Sequence, residues 1–213
     1  MESKWIGVAG IACMVMVGSV FAEDGRVSLF NGKDLKGWTG VGGEAVNWEV
    51  KDGVLSCTGK RGSHWIRTDR EYADFDLSLE FNIPVNGNSG VFIRSPLNGA
   101  PWVEGLEVQV LDDYGPKWKN LKPAQFTASI YAVQAPSERV SKPAGEWQTM
   151  RIRCVGDDYQ VWLNGKQVIN ALRGDLTKKS GVRGLKRTQG YIGLQNHSSP
   201  VHYKNITIQV IGD

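Results

Sequence analysis

Cysteine and histidine are scarce in this chain of 213 residues, which contains three of each. No two cysteines have the CxxC spacing and no run of histidines accompanies them, so the sequence does not predict a zinc site. Long basic runs are absent as well: the densest cluster, residues 178–187, is interrupted by glycine and predicts a solvated loop. With a net charge of only +3, this pattern argues against nucleic-acid binding.

Helical patterns and long apolar runs are also lacking. No window shows an apolar stripe at the helical period with capping residues, and no internal repeat or linker divides the chain. The longest apolar stretch, Ile6–Val20, is shorter than the about 20 residues that a membrane-spanning helix needs. The sequence therefore predicts neither a helical protein nor a stable membrane insertion.

Residues 1–22 have the pattern of an export signal. Lys4 gives a charged start, the apolar stretch follows, and Val20-Phe21-Ala22 precedes a polar chain at a suitable cleavage site. We therefore expect one mature domain, residues 23–213, in the periplasm or outside the cell. An uncleaved anchor and a lipoprotein modified at Cys13 are the alternatives. The two remaining cysteines, Cys57 and Cys154, could form a disulfide or lie buried as thiols.

Glycine and tryptophan are abundant, with 26 and eight residues. Many glycines suit tight turns, and tryptophan suits a core or a sugar-stacking surface. Apolar and polar residues alternate over 75–83, which predicts a strand, and Asn164-Gly165 predicts a hairpin turn. Further strands are predicted at 91–94, 106–110, 150–154, 159–163, 190–195 and 201–211, with loops at 112–125, 134–145 and 170–189. Many short strands with glycine-rich turns predict an all-β sandwich or barrel.

Polar side chains in these strands are predicted to share one surface. Neighbouring side chains of a strand face opposite sides of the sheet, so the polar residues between core residues point away from the core. If the strands belong to one sheet, this patch suits the hydroxyl groups of a sugar. Its predicted members are Glu107, Gln109, Arg94, Gln195 and His197, with Asp112 and Asp113 at the rim, and Trp65, Trp102, Trp118 or Tyr131 could stack on a pyranose. The alternative is that these polar groups are only solvated, or that Arg94 pairs with a carboxylate.

An ordered set of motifs covers nearly all of residues 23–213 and resembles the 3-keto-disaccharide hydrolase family, once a domain of unknown function. The motifs are LFNGKDLKGW (29–38), WEVKDGVL (48–55), FDLSLEF (75–81), NSGVFIR (88–94), EVQVLD (107–112), KPAGEW (142–147), VWLNG (161–165) and GYIGLQ (190–195). The resemblance implies a concanavalin A-like jelly roll of two antiparallel sheets, with ligand on the concave sheet. It also implies action on sugars oxidised at C3. Asn196 departs from the family, which often has Asp before its His.

A ketone at C3 acidifies the proton on C2, so one base, one acid and donors for the ketone oxygen would suffice to cleave the glycosidic bond. We predict Glu107 and His197 as the catalytic pair, either one being the base. The predicted substrate-binding residues are Asn88, Arg94, Gln109, Asp112, Tyr131 and Gln195. The sequence establishes no cofactor, and a divalent metal could bind through Asp112, Glu107 or His197.

The rival interpretations are a non-catalytic carbohydrate-binding module and a conventional glycosidase. The second would carry paired carboxylates on one strand, and Glu107 and Asp112 have opposite parity.

Overall fold

Thirteen strands form two antiparallel sheets in the computed structural model, which describes residues 25–212. The predicted export signal and Cys13 lie outside the described residues. Both sheets turn an apolar face towards a shared core, because the alternating patterns place one apolar row on each strand. The all-β sandwich predicted from the sequence is confirmed.

The larger sheet has eight strands in the order β11-β10-β9-β6-β13-β4-β3, with β1 paired to β13. Their bounds are β1 (Val27–Ser28), β3 (Trp48–Lys51), β4 (Val54–Cys57), β6 (Phe75–Asn82), β9 (Gln148–Val155), β10 (Asp158–Leu163), β11 (Lys166–Leu172) and β13 (Val201–Val210).

The smaller sheet has five strands in the order β2-β5-β12-β7-β8. They are β2 (Trp38–Val41), β5 (Trp65–Thr68), β7 (Asn88–Ser95), β8 (Leu106–Leu111) and β12 (Tyr191–Gln195). Because every pairing is antiparallel, side chains of neighbouring strands meet in rows across the sheet.

The hairpin between β10 and β11 turns at Asn164 and Gly165, which have φ angles of 51° and 83°. Positive φ at both central residues is what a type I′ turn requires, and Asn-Gly is the pair that tolerates it best. The predicted hairpin is therefore confirmed. The strand after it was not predicted, since Lys166–Leu172 lacks a clean alternation and pairs with a register shift.

Short helical segments occur in the predicted loops. Residues 170–189, predicted as loop, contain helix α2 (Arg173–Lys179) and a 3₁₀ turn (Arg183–Lys186). Helix α2 buries only Leu176, so its sequence carries no apolar stripe from which a helix could be predicted. The remaining helical segments are α1 (Pro101–Glu104) and the 3₁₀ turns Pro116–Trp118 and Pro123–Gln125. None of the helices within residues 25–212 is long and apolar enough to cross a membrane.

Cys57 on β4 and Cys154 on β9 are free, buried thiols. The disulfide alternative was therefore wrong, and the two side chains act as small apolar members of the core. Burial raises the pKa of both thiols above the ordinary range, because a thiolate would lose its hydration there.

Candidate active site

Strand order brings the two polar segments of the sequence into one sheet, with β7 between β8 and β12. Phe92 on β7 pairs with Glu107 on one side and with Gly193 on the other, and Gly90 pairs with Gln109. The polar residues of β8 and β12 therefore lie on the face that points away from the larger sheet. Only one strand separates them.

A sixth segment extends this sheet beyond β8. The Ala128 and Tyr131 amides donate to the Gln109 and Glu107 carbonyls at 2.9 and 2.8 Å, and the Gln109 amide donates to Ser129 O at 3.0 Å. These bonds fix Tyr131 beside Glu107 although residues 128–131 do not form a full strand. The Tyr131 ring is thereby held next to the polar side chains of β8.

A pocket of about 230 Å³ opens on this face. Loop residues from 118–125 and α1 form its walls, while the strands form its floor. Six of the eight predicted site residues line it: Asn88, Glu107, Gln109, Tyr131, Gln195 and His197. Trp102 and Trp118, two of the aromatic candidates, line it as well.

Glu107 lies on the floor of the pocket with only 4% of its surface exposed. Burial raises the pKa of its carboxyl group to about 8, because the charged form loses hydration and no cation lies close enough to offset the loss. Its carboxyl oxygens make no hydrogen bond to any residue within 25–212. Burial and a pKa near neutrality are typical of a carboxyl group that transfers protons in catalysis.

Gly90 provides the space for this carboxyl group. A Cβ atom built on Gly90 would lie 2.7 Å from Cδ of Glu107 and would also contact its Oε1 atom. The Glu107 side chain therefore crosses β7 over Gly90, where any larger side chain would displace the carboxyl group. Gly90 was not predicted as a site residue from the sequence, because a glycine at this position indicates a turn.

Three buried polar atoms around the pocket have no hydrogen-bond partner: Asn88 Oδ1, Gln195 Oε1 and Trp118 Nε1. They are three of the four such atoms found in the described part of the chain. Buried polar groups are normally paired, since leaving one unpaired costs about 1–3 kcal/mol. Two acceptors and one donor in the same pocket are therefore available for hydrogen bonds to a polar ligand.

His197 stands at the mouth of the pocket and is exposed. Strand β12 ends at Gln195, so His197 lies in the turn after the strand and not on the strand itself. The turn that carries His197 is held by Asn196, whose Nδ2 donates to Lys60 O and Ser63 O at 3.1 and 3.2 Å. An aspartate, which the family often has there, could not donate these bonds, so Asn196 has a positioning role in this chain.

Arg94 lies between the sheets, not in the pocket, and its predicted place in the patch was wrong. An extra residue on β7 shifts the register against β12, and Arg94 takes a φ of 49° in this bulge. The bulge reverses the alternation, so the fully buried guanidinium points inward. It donates to Tyr159 OH at 2.8 Å and to Ala73 O, and it pairs with Asp74 at 3.1 Å. The alternative of a paired arginine is the one that the structure shows.

Replacing Arg94 with Ala is expected to lower the free energy of unfolding by about 3–5 kcal/mol, because a large, fully buried side chain is removed and Tyr159 and Asp74 lose their charge-assisted bonds. Urea denaturation would measure this loss. The exposed Arg61→Ala variant serves as the control and should change stability by less than about 0.5 kcal/mol. If Arg94→Ala is as stable as the wild type but binds sugar more weakly, Arg94 belongs to the binding site instead.

Asp112 is also absent from the pocket. Its carboxylate accepts the backbone amides of Asn86 and Tyr114 at 2.7 and 3.3 Å, and it lines a separate depression beside Val85. The predicted substrate contact was therefore wrong, because the chain leaves the strand at this point and the side chain fixes the turn. Its neighbour Asp113 likewise accepts from Thr127 and Ser141.

The suggested metal ligands are consequently not brought together. Glu107 and His197 share the pocket, but Asp112 does not. Within residues 25–212 no three acidic, histidine or cysteine side chains are grouped in a way that could hold a metal ion.

Residues 25–209 match the model of a family described as a 3-keto-alpha-glucoside-1,2-lyase-like domain. The chain belongs to this family. A curated 3-keto-disaccharide hydrolase from Bacteroides thetaiotaomicron is 25% identical over 88% of this chain and 79% of its own length. The resemblance seen in the ordered motifs is thus confirmed for this member of the 3-keto-disaccharide hydrolase family.

Solved structures agree with the assignment. A Parabacteroides distasonis protein assigned as a glycosyl hydrolase is 29% identical, with a TM-score of 0.79 over 91% of this chain and 99% of its own. A Bacillus subtilis protein with a galectin-like fold is 14% identical, with a TM-score of 0.55 over 86% of this chain and 94% of its own, and shows the fold alone. The predicted concanavalin A-like jelly roll is confirmed, and the similarities support a glycoside hydrolase-like function for this family member.

Proposed function

We propose that the protein cleaves the glycosidic bond of 3-keto-glycosides by removing the proton on C2, eliminating the group on C1 and adding water. The observation that supports this most is Glu107, a desolvated carboxyl group that has no hydrogen-bond partner among residues 25–212 and lies beside three unpartnered polar atoms. A single strong base suits the acidic C2–H of a 3-keto sugar, whereas conventional glycosidases use two flanking carboxyl groups. The pocket contains one.

Glu107 is the base in this mechanism and His197 is the acid. Glu107 lies on the floor of the pocket, where the sugar ring would sit. His197 lies at the rim shared with a second depression, where the bond to the leaving group would emerge. These two positions support assigning the side chains to the two ends of an elimination. A raised pKa strengthens a carboxylate as a carbon base.

Donors for the ketone oxygen are available on the same surface. Neither Trp118 Nε1 nor the side-chain amide nitrogen of Gln109 makes a hydrogen bond to a described residue. The Tyr131 hydroxyl accepts a hydrogen bond from Gln125 and can still donate one. Asn88 Oδ1 and Gln195 Oε1 would accept from sugar hydroxyls. Fixed donors facing the developing enolate oxygen stabilise the transition state more than water does.

The atoms balance over two half-reactions. Glu107 takes the C2 proton, and the C–H electron pair forms an enolate with the C3 oxygen. The ketone then re-forms as the C1–O bond breaks, the leaving oxygen takes a proton from His197, and C1 and C2 become doubly bonded. Water next adds at C1 while its proton passes to His197 and Glu107 returns a proton to C2. The products are a 3-keto sugar and the free alcohol.

The test is turnover of a purified 3-keto-glucoside beside its unoxidised counterpart. We expect release of the alcohol from the 3-keto compound alone, with or without a chelator, and a slower reaction when C2 carries deuterium. Cleavage of the unoxidised sugar with no isotope effect at C2 would point to a conventional glycosidase. Binding of both sugars without product would point to a carbohydrate-binding module.

Replacing His197 with Gln is expected to reduce kcat on a benzyl 3-keto-glucoside by roughly tenfold to a hundredfold. The loss should nearly disappear with a 4-nitrophenyl leaving group, which departs without protonation. The His202→Gln variant is a suitable control, since His202 lies on the larger sheet and bonds Ser56. Equal losses with both leaving groups would remove His197 from the role of acid.

A further inference from the structure

A second depression of about 500 Å³ adjoins the pocket and shares Trp102, Gln195 and His197 with it. We infer that this depression is the subsite for the leaving group and that it favours an aromatic or otherwise apolar aglycone over a second sugar. The inference rests on the proposed function, because it uses the same scissile bond. It concerns which 3-keto-glycosides the protein would cleave best.

Apolar side chains line most of the second depression. They come from the strands and from the loop after β7, and comprise Val41, Trp65, Phe92, Leu97 and Pro101. Trp65 and Phe92 pack edge to face with ring centroids 5.4 Å apart, and these nearly buried rings form the rigid base of the depression. Trp102 and Leu97 face solvent, with 42% and 46% of their surfaces exposed, and would gain most from covering an apolar group.

Gly193 lets this floor lie close to the sheet. A Cβ atom on Gly193 would collide with the indole ring of Trp65, so the ring rests directly against the backbone of β12. Trp65 is consequently almost fully buried and cannot turn away from the depression. The base of the depression is therefore immobile, and the side chains that would contact an apolar group most are the exposed Leu97 and Trp102.

Polar groups in the second depression are few or already engaged. The Asn196 amide donates to Lys60 O and Ser63 O and accepts from the Ser198 amide. Beyond the shared Gln195 and His197, His64 is the one remaining polar side chain of the lining. A hexose buries several hydroxyl groups and each needs a partner, so this surface suits a phenyl ring better than a second pyranose.

The two depressions therefore differ in chemistry across the position of the scissile bond. The unpartnered Asn88 Oδ1 and Trp118 Nε1 lie only in the first, and Gln195 Oε1 lies at the border. The oxidised sugar would occupy the first depression and the apolar group the second.

The test compares benzyl 3-keto-glucoside, methyl 3-keto-glucoside and a 3-keto-disaccharide, whose leaving groups are all alcohols. We expect kcat/KM for the benzyl compound to exceed the other two by at least about tenfold, mostly through a lower KM. Leu97→Asn should remove most of this preference by raising KM for the benzyl compound. Val85→Asn, which makes an exposed apolar residue polar at the separate depression, should preserve the preference.

Equal kcat/KM values for the three compounds, or a higher value for the disaccharide, would overturn the inference. Its failure is separable from failure of the proposed function, because calorimetry with unoxidised benzyl and methyl glucosides needs no turnover. Tighter binding of the benzyl compound, weakened by Leu97→Asn, supports the apolar subsite even if no 3-keto-glycoside is cleaved. Equal binding of both glucosides counts against it.

Discussion

Replacing Glu107 with Gln is expected to lower kcat on a 3-keto-glucoside by about 10³-fold, within the range for loss of a positioned general base. The amide has nearly the shape of the carboxyl group and fits the same site over Gly90, but it cannot accept the C2 proton. KM should change little, since the sugar keeps its other contacts. The measurement is steady-state kinetics together with deuterium exchange at C2, which should fall with kcat.

The exposed Glu49→Gln variant is the matched control, because it makes the same chemical change on the larger sheet. It should retain wild-type kcat. A Glu107→Gln enzyme with more than a tenth of wild-type activity would exclude Glu107 as the base.

The same substitution should remove a pH dependence. Because burial raises the pKa of Glu107 to about 8, the ionised base is scarce at low pH, and kcat/KM of the wild-type enzyme should rise about tenfold per pH unit towards pH 8 and then level. The residual activity of Glu107→Gln should lack this rise. Wild-type activity that falls through pH 8 would instead assign Glu107 as the acid.

Folding stability should follow the opposite trend. The folded-state pKa of Glu107 lies above the ordinary value of 4.5, so its stabilising contribution is fully present below that pH and is lost as the pH rises towards about 8. The slope for one such group is about 1.4 kcal/mol per pH unit. Glu107→Gln should therefore be relatively more stable than wild type in alkaline buffer, which separates its loss of activity from unfolding.

Replacing Gly90 with Ala is expected to lower kcat by about 10²-fold, although Gly90 carries no reactive group. The new methyl group would occupy the space of the Glu107 carboxyl and push it away from its buried position. A misplacement of about 1 Å can cost on the order of 10²-fold in rate. Because a displaced carboxyl would be better hydrated, the rising limb of the pH profile should also move to lower pH.

Gly181→Ala provides the control, since a Cβ atom there meets nothing within 4 Å. It should leave both kcat and the pH profile unchanged. If Gly90→Ala loses activity but keeps the wild-type pH profile, the substitution acts through the fold and not through Glu107.

Strand alternation predicted the site where the strands are regular. Glu107 and Gln109 on β8 and Gln195 on β12 share a face because both strands keep uninterrupted alternation. The prediction failed at Arg94, because one inserted residue on β7 reverses the face of the sheet on which the following side chains lie. A single bulge of this kind cannot be recognised in the sequence. His197 reaches the pocket for a different reason, since the turn held by Asn196 carries it there.

The loop contributions could not be predicted in the same way. Trp118 was predicted only as one of four aromatic residues that could stack on a sugar, and Gln125 was not predicted. Both reach the pocket from 3₁₀ turns, whose residues have no period that an alternation or helix pattern can detect. Asp112 looked like a site residue because it follows a strand, yet backbone amides engage it. Loop geometry depends on such local bonds, and a sequence shows only that their donors and acceptors exist.

The two buried thiols, Cys57 and Cys154, can report on local unfolding of the larger sheet. Cys57 lies one strand from an edge of the larger sheet, and Cys154 lies on a strand paired on both sides. A thiol reagent reacts with the thiolate, so each sulfur becomes reactive only when its strand separates from its neighbours and meets water. The order of labelling would therefore reveal whether this sandwich frays from one border or opens cooperatively, without any introduced probe.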